Sequence, residues 1–190
     1  AKNKNREIQI FINALSKNIR YMFSSGLHTV AIRDEIQHLR NYLEMQDLKY
    51  PDCVFSYIDL PEELGNWKIP QMIIHTLIEN EYRYAVSMGK VLMILIKVSS
   101  VIFQEEPMLL IEIEDDGNGY PEEIINAVNE GNEKPADDGK RIGLWSIRRL
   151  MELMYEREGL FVLSNIVPHG AMSQIYVPEN TIHEVSDKRE

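Results

Sequence analysis

The 190-residue sequence has a single cysteine, Cys53, so it can make no internal disulfide; it suits a reducing compartment and reads as a small half-buried hydrophobe. Basic residues are outnumbered, 20 Lys and Arg against 30 Asp and Glu, for a formal charge of -10. Phosphate-backbone binding rests on clustered Lys and Arg, so a nucleic acid is an unsuitable partner. Long apolar runs are missing too. The longest, Val91 to Phe103, is broken by Lys97 and Ser99-Ser100 and falls short of the ~18 residues that a membrane span needs. The start, Ala1-Lys2-Asn3-Lys4-Asn5-Arg6, has neither methionine nor an apolar signal core, and reads as a cut within a longer polypeptide. There is no internal repeat and no low-complexity tract. Hydrophobic residues make up 44% and charged residues 26%, a globular composition at a length that suits one domain plus an appendage.

Hydrophobic spacing supplies the organisation. Ile8, Ile12, Leu15, Ile19 and Met22 recur at steps of four and three, a heptad stripe that Gly26 ends. A second helix puts Ile32, Ile36, Leu39 and Leu43 on one face, with Asp34-Glu35 in its first turn, and stops at Pro51-Asp52. The two make a helical hairpin; its first helix offers a seam to a partner, and its second is equally suited to packing on its own domain. His28 and His38 read as surface residues of the hairpin. Strands are expected at Val54–Leu60, Val91–Val98, Met108–Glu114, Leu160–Asn165 and Ser173–Val177, and helices at Pro70–Ser87, after Pro121, and through Leu144, Ile147, Leu150, Met151 and Met154. Asn129 to Arg141 is polar and glycine-bearing and reads as a mobile loop. Strands and helices alternate without strict βαβ order, which predicts an α/β (α+β) sandwich with a mixed sheet. The expected division is residues 1–50 for the hairpin, 51–180 for the α/β domain and 181–190 for a flexible tail.

Three places carry chemistry. In Asp115-Asp116-Gly117-Asn118-Gly119, Asp115 continues the face of Leu109, Ile111 and Ile113, so a carboxylate stands at the edge of the core and needs a donor to offset its desolvation. An adenine amine is such a donor, and Gly117 and Gly119 let a ligand approach the backbone; a plain Asp-Gly turn is the competing reading. On the Pro70–Ser87 helix, Thr76, Asn80, Arg83 and Tyr84 cluster away from the apolar stripe of Ile74, Leu77, Ile78 and Ala85. An Asn oxygen suits Mg²⁺ and Arg83 suits a phosphate; the alternative is a solvated face. Arg141-Ile142-Gly143-Leu144 brings a polar loop into a helix at a glycine, where free N–H groups and the dipole favour an anion, with Lys140 and Arg141 adding charge or forming a solvated pair. Together the three describe a pocket for Mg²⁺-nucleotide. His75 and Glu79, four apart, lack a third metal ligand. Glu81 falls within the apolar stripe, where an ionised carboxylate needs a cation or several donors, or a helix rotated enough to expose it; left unpaired, its pKa is expected to be raised by desolvation.

These residues stand in a known order. Glu35 to Tyr50 resembles the segment that precedes the catalytic domain in sensor histidine kinases of the LytS/YesM type, within the Bergerat-fold ATPase superfamily. Ile69-Pro70 and Leu77-Ile78-Glu79-Asn80 resemble the N-box of that family, Asp115-x-Gly117-x-Gly119 its G1 box and Ile142-Gly143-Leu144 its G2 region; the resemblance runs from about Ala14 to Pro178. It implies a two-layer sandwich with helices on one face of a mixed sheet, ATP and Mg²⁺ as ligands, and a homodimer that phosphorylates a histidine and then a response regulator. It further implies that Asn80 coordinates Mg²⁺ and, with Glu79, belongs to the catalytic set. Asp115 would bind the adenine amine, and Gly117 and Gly119 would shape the pocket. Arg83, Tyr84, Lys140, Arg141, Gly143 and Leu144 would line the nucleotide site, and Asn129 to Arg141 would be a lid. The Asn-Pro-His-Phe motif holding the family's phospho-accepting histidine does not occur in this sequence. The implied location is a cytoplasmic domain of a membrane-anchored sensor. Glu81 where the family has Ala, Tyr84-Ala85 where it has a small residue plus His or Gly, and Arg141 where it often has Gly or Ser are departures. They leave a non-catalytic signalling and dimerisation module as the alternative, and an anti-sigma-type serine kinase as a third reading that the heptad hairpin disfavours.

Overall fold

The computed structural model describes residues 29–85, 90–131 and 142–179. The heptad helix of residues 8–22, the tail and the segment 132–141, with Lys140 and Arg141, lie outside the described residues.

A three-residue strand, β1 (Thr29–Ala31), runs straight into helix α1 (Ile32–Lys49) and pairs antiparallel with β3 (Lys68–Pro70), Val30 opposite Ile69. The α1 stripe of Ile32, Ile36, Leu39 and Tyr42 is buried, so this helix packs on the same core as the sheet. Pro70 was expected to open the next helix, but it is committed to β3, and helix α2 starts three residues on (Ile73–Tyr84). Glu35 provides the N-terminal cap of α2 from another element. Its fully buried carboxylate accepts the backbone N–H groups of Met72, at 3.1 Å, and of His75, at 3.3 Å, two donors that a helix start leaves without an internal partner. Met72, at φ 68°, has no side-chain cap of its own to offer.

The main sheet comprises β2 (Val54–Asp59), β4 (Leu92–Phe103), β5 (Glu106–Asp115), β6 (Phe161–Asn165) and β7 (Ala171–Pro178) in the order β2-β4-β5-β7-β6. The β2–β4 pair is parallel and the others antiparallel, so the sheet is mixed as expected. Leu92, Ile94, Ile96 and Val98 alternate with exposed Met93 and Lys97, which gives the sheet one covered face and one open face. The covered face meets α1, α2, α3 (Glu122–Glu130) and α4 (Ile142–Tyr155) through a single core that includes Ile74, Leu77 and Ile78 of α2 and Leu144, Ile147 and Met151 of α4. Each such buried aliphatic side chain contributes about 1.5–3 kcal/mol. The result is a two-layer α+β sandwich.

Three differences from expectation have local causes. Strand β4 continues past Ser99-Ser100 to Phe103, because a hairpin closes there on Gln104 and Glu105, at φ 51° and 67°, with Phe103 opposite Glu106. Two central residues of positive φ match the twist of the flanking strands, usually with Asn-Gly; Gln-Glu carries no such signal. Asn129, expected to open the mobile loop, belongs to α3 and clamps β6, donating to the carbonyl of Leu163 at 2.8 Å and accepting its N–H at 2.9 Å. His38, expected at the surface, is 5% exposed between α1 and α2, its ring 5.1 Å from that of His75. Cys53 is buried and in no disulfide, in line with its reading as a small hydrophobe. No helix among the described residues is long and apolar enough to cross a membrane.

Candidate functional site

At the end of β5, beside α2 and the start of α4, lies a cavity of about 330 Å³. Asn80, Glu81, Tyr84 and Ala85 of the α2 segment line one wall, Asp115, Asn118, Gly119 and Tyr120 the strand end and its turn, and Pro121, Ile124, Leu144 and Ala171 the remainder. The strand periodicity that set Asp115 on the face of Ile111 and Ile113 leaves it 7% exposed. Its Oδ1 accepts the Gly117 N–H at 2.6 Å, and Ala171 supplies a second backbone donor. Burial raises the Asp115 pKa, and these two N–H groups work against that rise.

Two glycines hold the shape. A Cβ on Gly117 would stand 2.7 Å from Asp115 Oδ1, so the turn closes on the carboxylate only because that position is bare. Gly119 adopts φ +78°, and a Cβ there would meet Asn165 Oδ1 at 2.6 Å. Asn165 in turn accepts the Tyr120 N–H at 2.7 Å and donates to the Tyr120 carbonyl at 2.9 Å, tying the turn to β6.

Across the cavity, Asn80 faces the start of α4. A Cβ on Gly143 would lie 3.1 Å from Asn80 Nδ2, so the helix start approaches the amide as closely as a glycine allows. That Nδ2 is buried and has no hydrogen-bond partner among the described residues. An orphaned amide costs about 1–3 kcal/mol, so Asn80 is prepared for a ligand. No group of three His, Cys, Asp or Glu among the described residues can hold a metal alone. A cation here would take its remaining ligands from a bound phosphate and water.

The structure thus brings Asn80, Tyr84, Asp115, Gly117, Gly119, Gly143 and Leu144 together. It sets Glu79 and Arg83 apart: they are half-exposed, pair with each other at 3.2 Å one helical turn apart, and do not line the cavity. Thr76, grouped with them in projection, donates back to the Met72 carbonyl at 2.7 Å.

Glu81 has no cationic partner among the described residues, and its pKa is raised by desolvation, as expected of an unpaired carboxyl. It is 6% exposed, not rotated out, and the charged group beside it is the Asp115 carboxyl rather than a cation. Burial first, and then the negative charge of Asp115, push its pKa up to about 8, so it holds a proton at neutral pH. The Tyr120 hydroxyl lies 3.5 Å from Glu81 Oε1 and 2.9 Å from Ser173 Oγ. Sequence reasoning missed Tyr120, Asn118, Ile124 and Ala171 as lining residues; of these only Asn118, inside the Asp-x-Gly-x-Gly turn, carried a signal.

The family model described as Histidine kinase matches residues 1–54. The chain is 24% identical over 168 residues to the sensor protein LytS of Enterococcus faecalis, covering 86% of this chain and 27% of that protein. It is 28% identical over 76 residues to the sensor protein kinase HptS of Staphylococcus aureus, covering 40% and 15%. The chain therefore spans about a quarter or less of the curated relatives it matches. Among solved structures, the catalytic domain of histidine kinase ThkA superposes with a TM-score of 0.58 at 15% identity, over 82% of this chain and 97% of that one. The mycobacterial sensor histidine kinase MprB gives 0.56 at 14% identity, over 82% and 99%. The fold is that of the catalytic domains of histidine kinases. In sequence the chain is similar to sensor histidine kinases of the LytS type, and in fold to the catalytic domains of histidine kinases.

Proposed function

We propose that the chain binds Mg²⁺-ATP in this cavity and transfers the γ-phosphoryl group to a histidine in another segment of its parent protein, for onward transfer to a response regulator. The observation that carries the reading is the meeting of the buried, orphaned Asn80 amide and the buried Asp115 carboxylate across one cavity floored by bare glycines. Asp115 would accept from the adenine amine, the desolvated carboxylate finding the donor its burial calls for. Gly117 and Gly119 would leave the base room against the backbone. The N-terminal turn of α4 at Gly143 would face the phosphates, where its dipole favours an anion. Asn80 would hold Mg²⁺, which when bound neutralises developing phosphate charge. Tyr84 and Leu144 would flank the nucleotide, and Lys140 and Arg141 would add cationic charge near the phosphates. Glu79, turned away and paired with Arg83, would act only if the helix end moved.

By the same reading, residues 1–50 close a dimerisation region of a homodimer, residues 51–180 form the ATP-binding domain, and the parent is a membrane-anchored sensor with this domain in the cytoplasm. The partners are a second copy and a response regulator. The presence of Glu81 in the base pocket is the observation that favours the alternative, a signalling module on the same fold that has lost catalysis.

The test is phosphorylation of the full-length parent with γ-labelled ATP. Acid-labile label on wild type, lost in Asn80→Ala, is expected. An unlabelled parent that still binds nucleotide would establish the non-catalytic module instead.

A further inference from the structure

The two ends of α2 are held by different parts of the chain. Its C-terminal half brings Asn80 to the cavity wall, where the start of α4 leaves little slack: a Cβ on Gly143 would stand 3.1 Å from Asn80 Nδ2 and 3.3 Å from its Oδ1. Ile74, Leu77 and Ile78 bury the helix in the core, but apolar burial has no direction and does not fix how far α2 slides or turns about its own axis. Directional bonds do that. Pro70 is placed by its pairing with Thr29 of β1, which leaves Gln71 and Met72 before the first helical residue, Ile73. There the carboxylate of Glu35, a residue of α1, takes the Met72 N–H on Oε2 at 3.1 Å and the His75 N–H on Oε1 at 3.3 Å. Glu35 is fully buried, so water does not compete for either bond. The ring centroids of His38 and Tyr42, also on α1, lie 5.1 and 4.4 Å from that of His75. His75 precedes Asn80 by about 7.5 Å along the axis at 1.5 Å per residue, too short a piece of helix to absorb a displacement.

Resting on the reading of Asn80 as the magnesium ligand, we propose that Glu35 is a positioning residue for it. By fixing the start of α2 along and about its axis, this carboxylate sets the Asn80 amide against the start of α4, where metal and phosphates are held. Asp115 ends β5 and does not depend on α2 for its place. Glu35 therefore governs the metal half of the site and not the adenine half.

The experiment is calorimetric titration of the full chain with ADP, once in excess Mg²⁺ and once in EDTA. Wild type, Asn80→Ala, Glu35→Ala and Glu35→Gln are compared at a temperature where melting curves show each to be folded. The ratio of the two affinities is the deciding quantity, because a loss of fold stability alone leaves it unchanged. Wild type is expected to gain about tenfold or more from Mg²⁺, and Asn80→Ala and Glu35→Ala each to lose most of that gain while binding metal-free ADP within about threefold of wild type. Glu35→Gln keeps an oxygen for one N–H and turns an amino group on the other, so its ratio falls in between. A wild-type ratio in Glu35→Ala, beside a collapsed one in Asn80→Ala, would overturn the positioning role and leave the nucleotide site standing. Should Glu35→Ala fail to fold, Glu35→Gln decides alone: a lowered ratio supports the role and an unchanged ratio overturns it. No gain from Mg²⁺ in wild type would remove the metal site, no ADP binding would remove the nucleotide site, and either would take the role of Glu35 with it.

Discussion

Acid should destabilise this domain through His75, and the size of the effect follows from where the ring sits. His75 is 5% exposed on α2, its ring 4.4 Å from Tyr42 in an edge contact and 5.1 Å from His38. Burial, with the neighbouring His38 adding to it, lowers its pKa from 6.5 to about 4. The folded state thus resists a proton that the unfolded chain accepts near pH 6.5. Stability is fully present above that value and is lost as the pH falls, by about 2 kcal/mol at pH 5 from the two pKa values and 1.36 kcal/mol per unit. Glu81 works in the opposite sense, since its raised pKa favours the folded state at low pH and removes stability as the pH climbs toward 8. A difference measurement separates the two. Urea unfolding of wild type and His75→Leu at pH 7.5 and pH 5 should show the wild type losing about 2 kcal/mol relative to the variant, roughly a 1 M relative shift in midpoint. Curves that move in parallel over this interval would refute the assignment, because the ring would then be protonated as readily in the folded state as in the unfolded.

Other substitutions probe the frame of the site. Asn129→Ala strips two hydrogen bonds from the Leu163 backbone at the sheet edge and should cost about 2 kcal/mol in denaturant unfolding; a cost under 0.5 kcal/mol would mean water replaces both. Gly119→Ala forces a side chain to φ +78° and against Asn165 Oδ1, so the melt should show a loss of about 1–2 kcal/mol or more and ADP affinity should fall with it. Glu35→Ala removes the acceptor of two backbone N–H groups at the start of α2 and should destabilise by about 1–3 kcal/mol, seen in the same unfolding assay.

Much of this architecture is written in local patterns, and what is not depends on contacts between distant residues. The α1 stripe, the alternation of β4 and the placement of Asp115 on the core face follow from periods of 3.6 and 2, which a sequence displays directly. Asn80 and Gly143 were readable singly, although their apposition, a glycine pressed to an amide, is a property of how α2 and α4 cross. Other features had no local trace. Strand β1 is three residues long, too short for a period, and it takes Pro70 out of the helix it was expected to start. The Gln104-Glu105 hairpin lacks the residues that usually mark positive φ. Helical projection correctly set Glu81 inward and its burial raises its pKa as expected of an unpaired carboxyl, but only tertiary packing brings it near a second carboxyl, Asp115, which no local pattern shows. Projection likewise grouped Arg83 with Asn80, whereas Arg83 turns to Glu79 one turn back.

The central claim, that this cavity takes an adenine nucleotide through Asp115, is tested most directly by titrating Mg²⁺-ADP into wild type and Asp115→Asn and following heat and melting temperature together. The expected result is one saturable site that raises the wild-type melting temperature by mass action, with affinity about tenfold or more lower in the variant while pyrophosphate binds both alike. No heat and no shift at millimolar ADP, or equal ADP affinity in the two proteins, would contradict it.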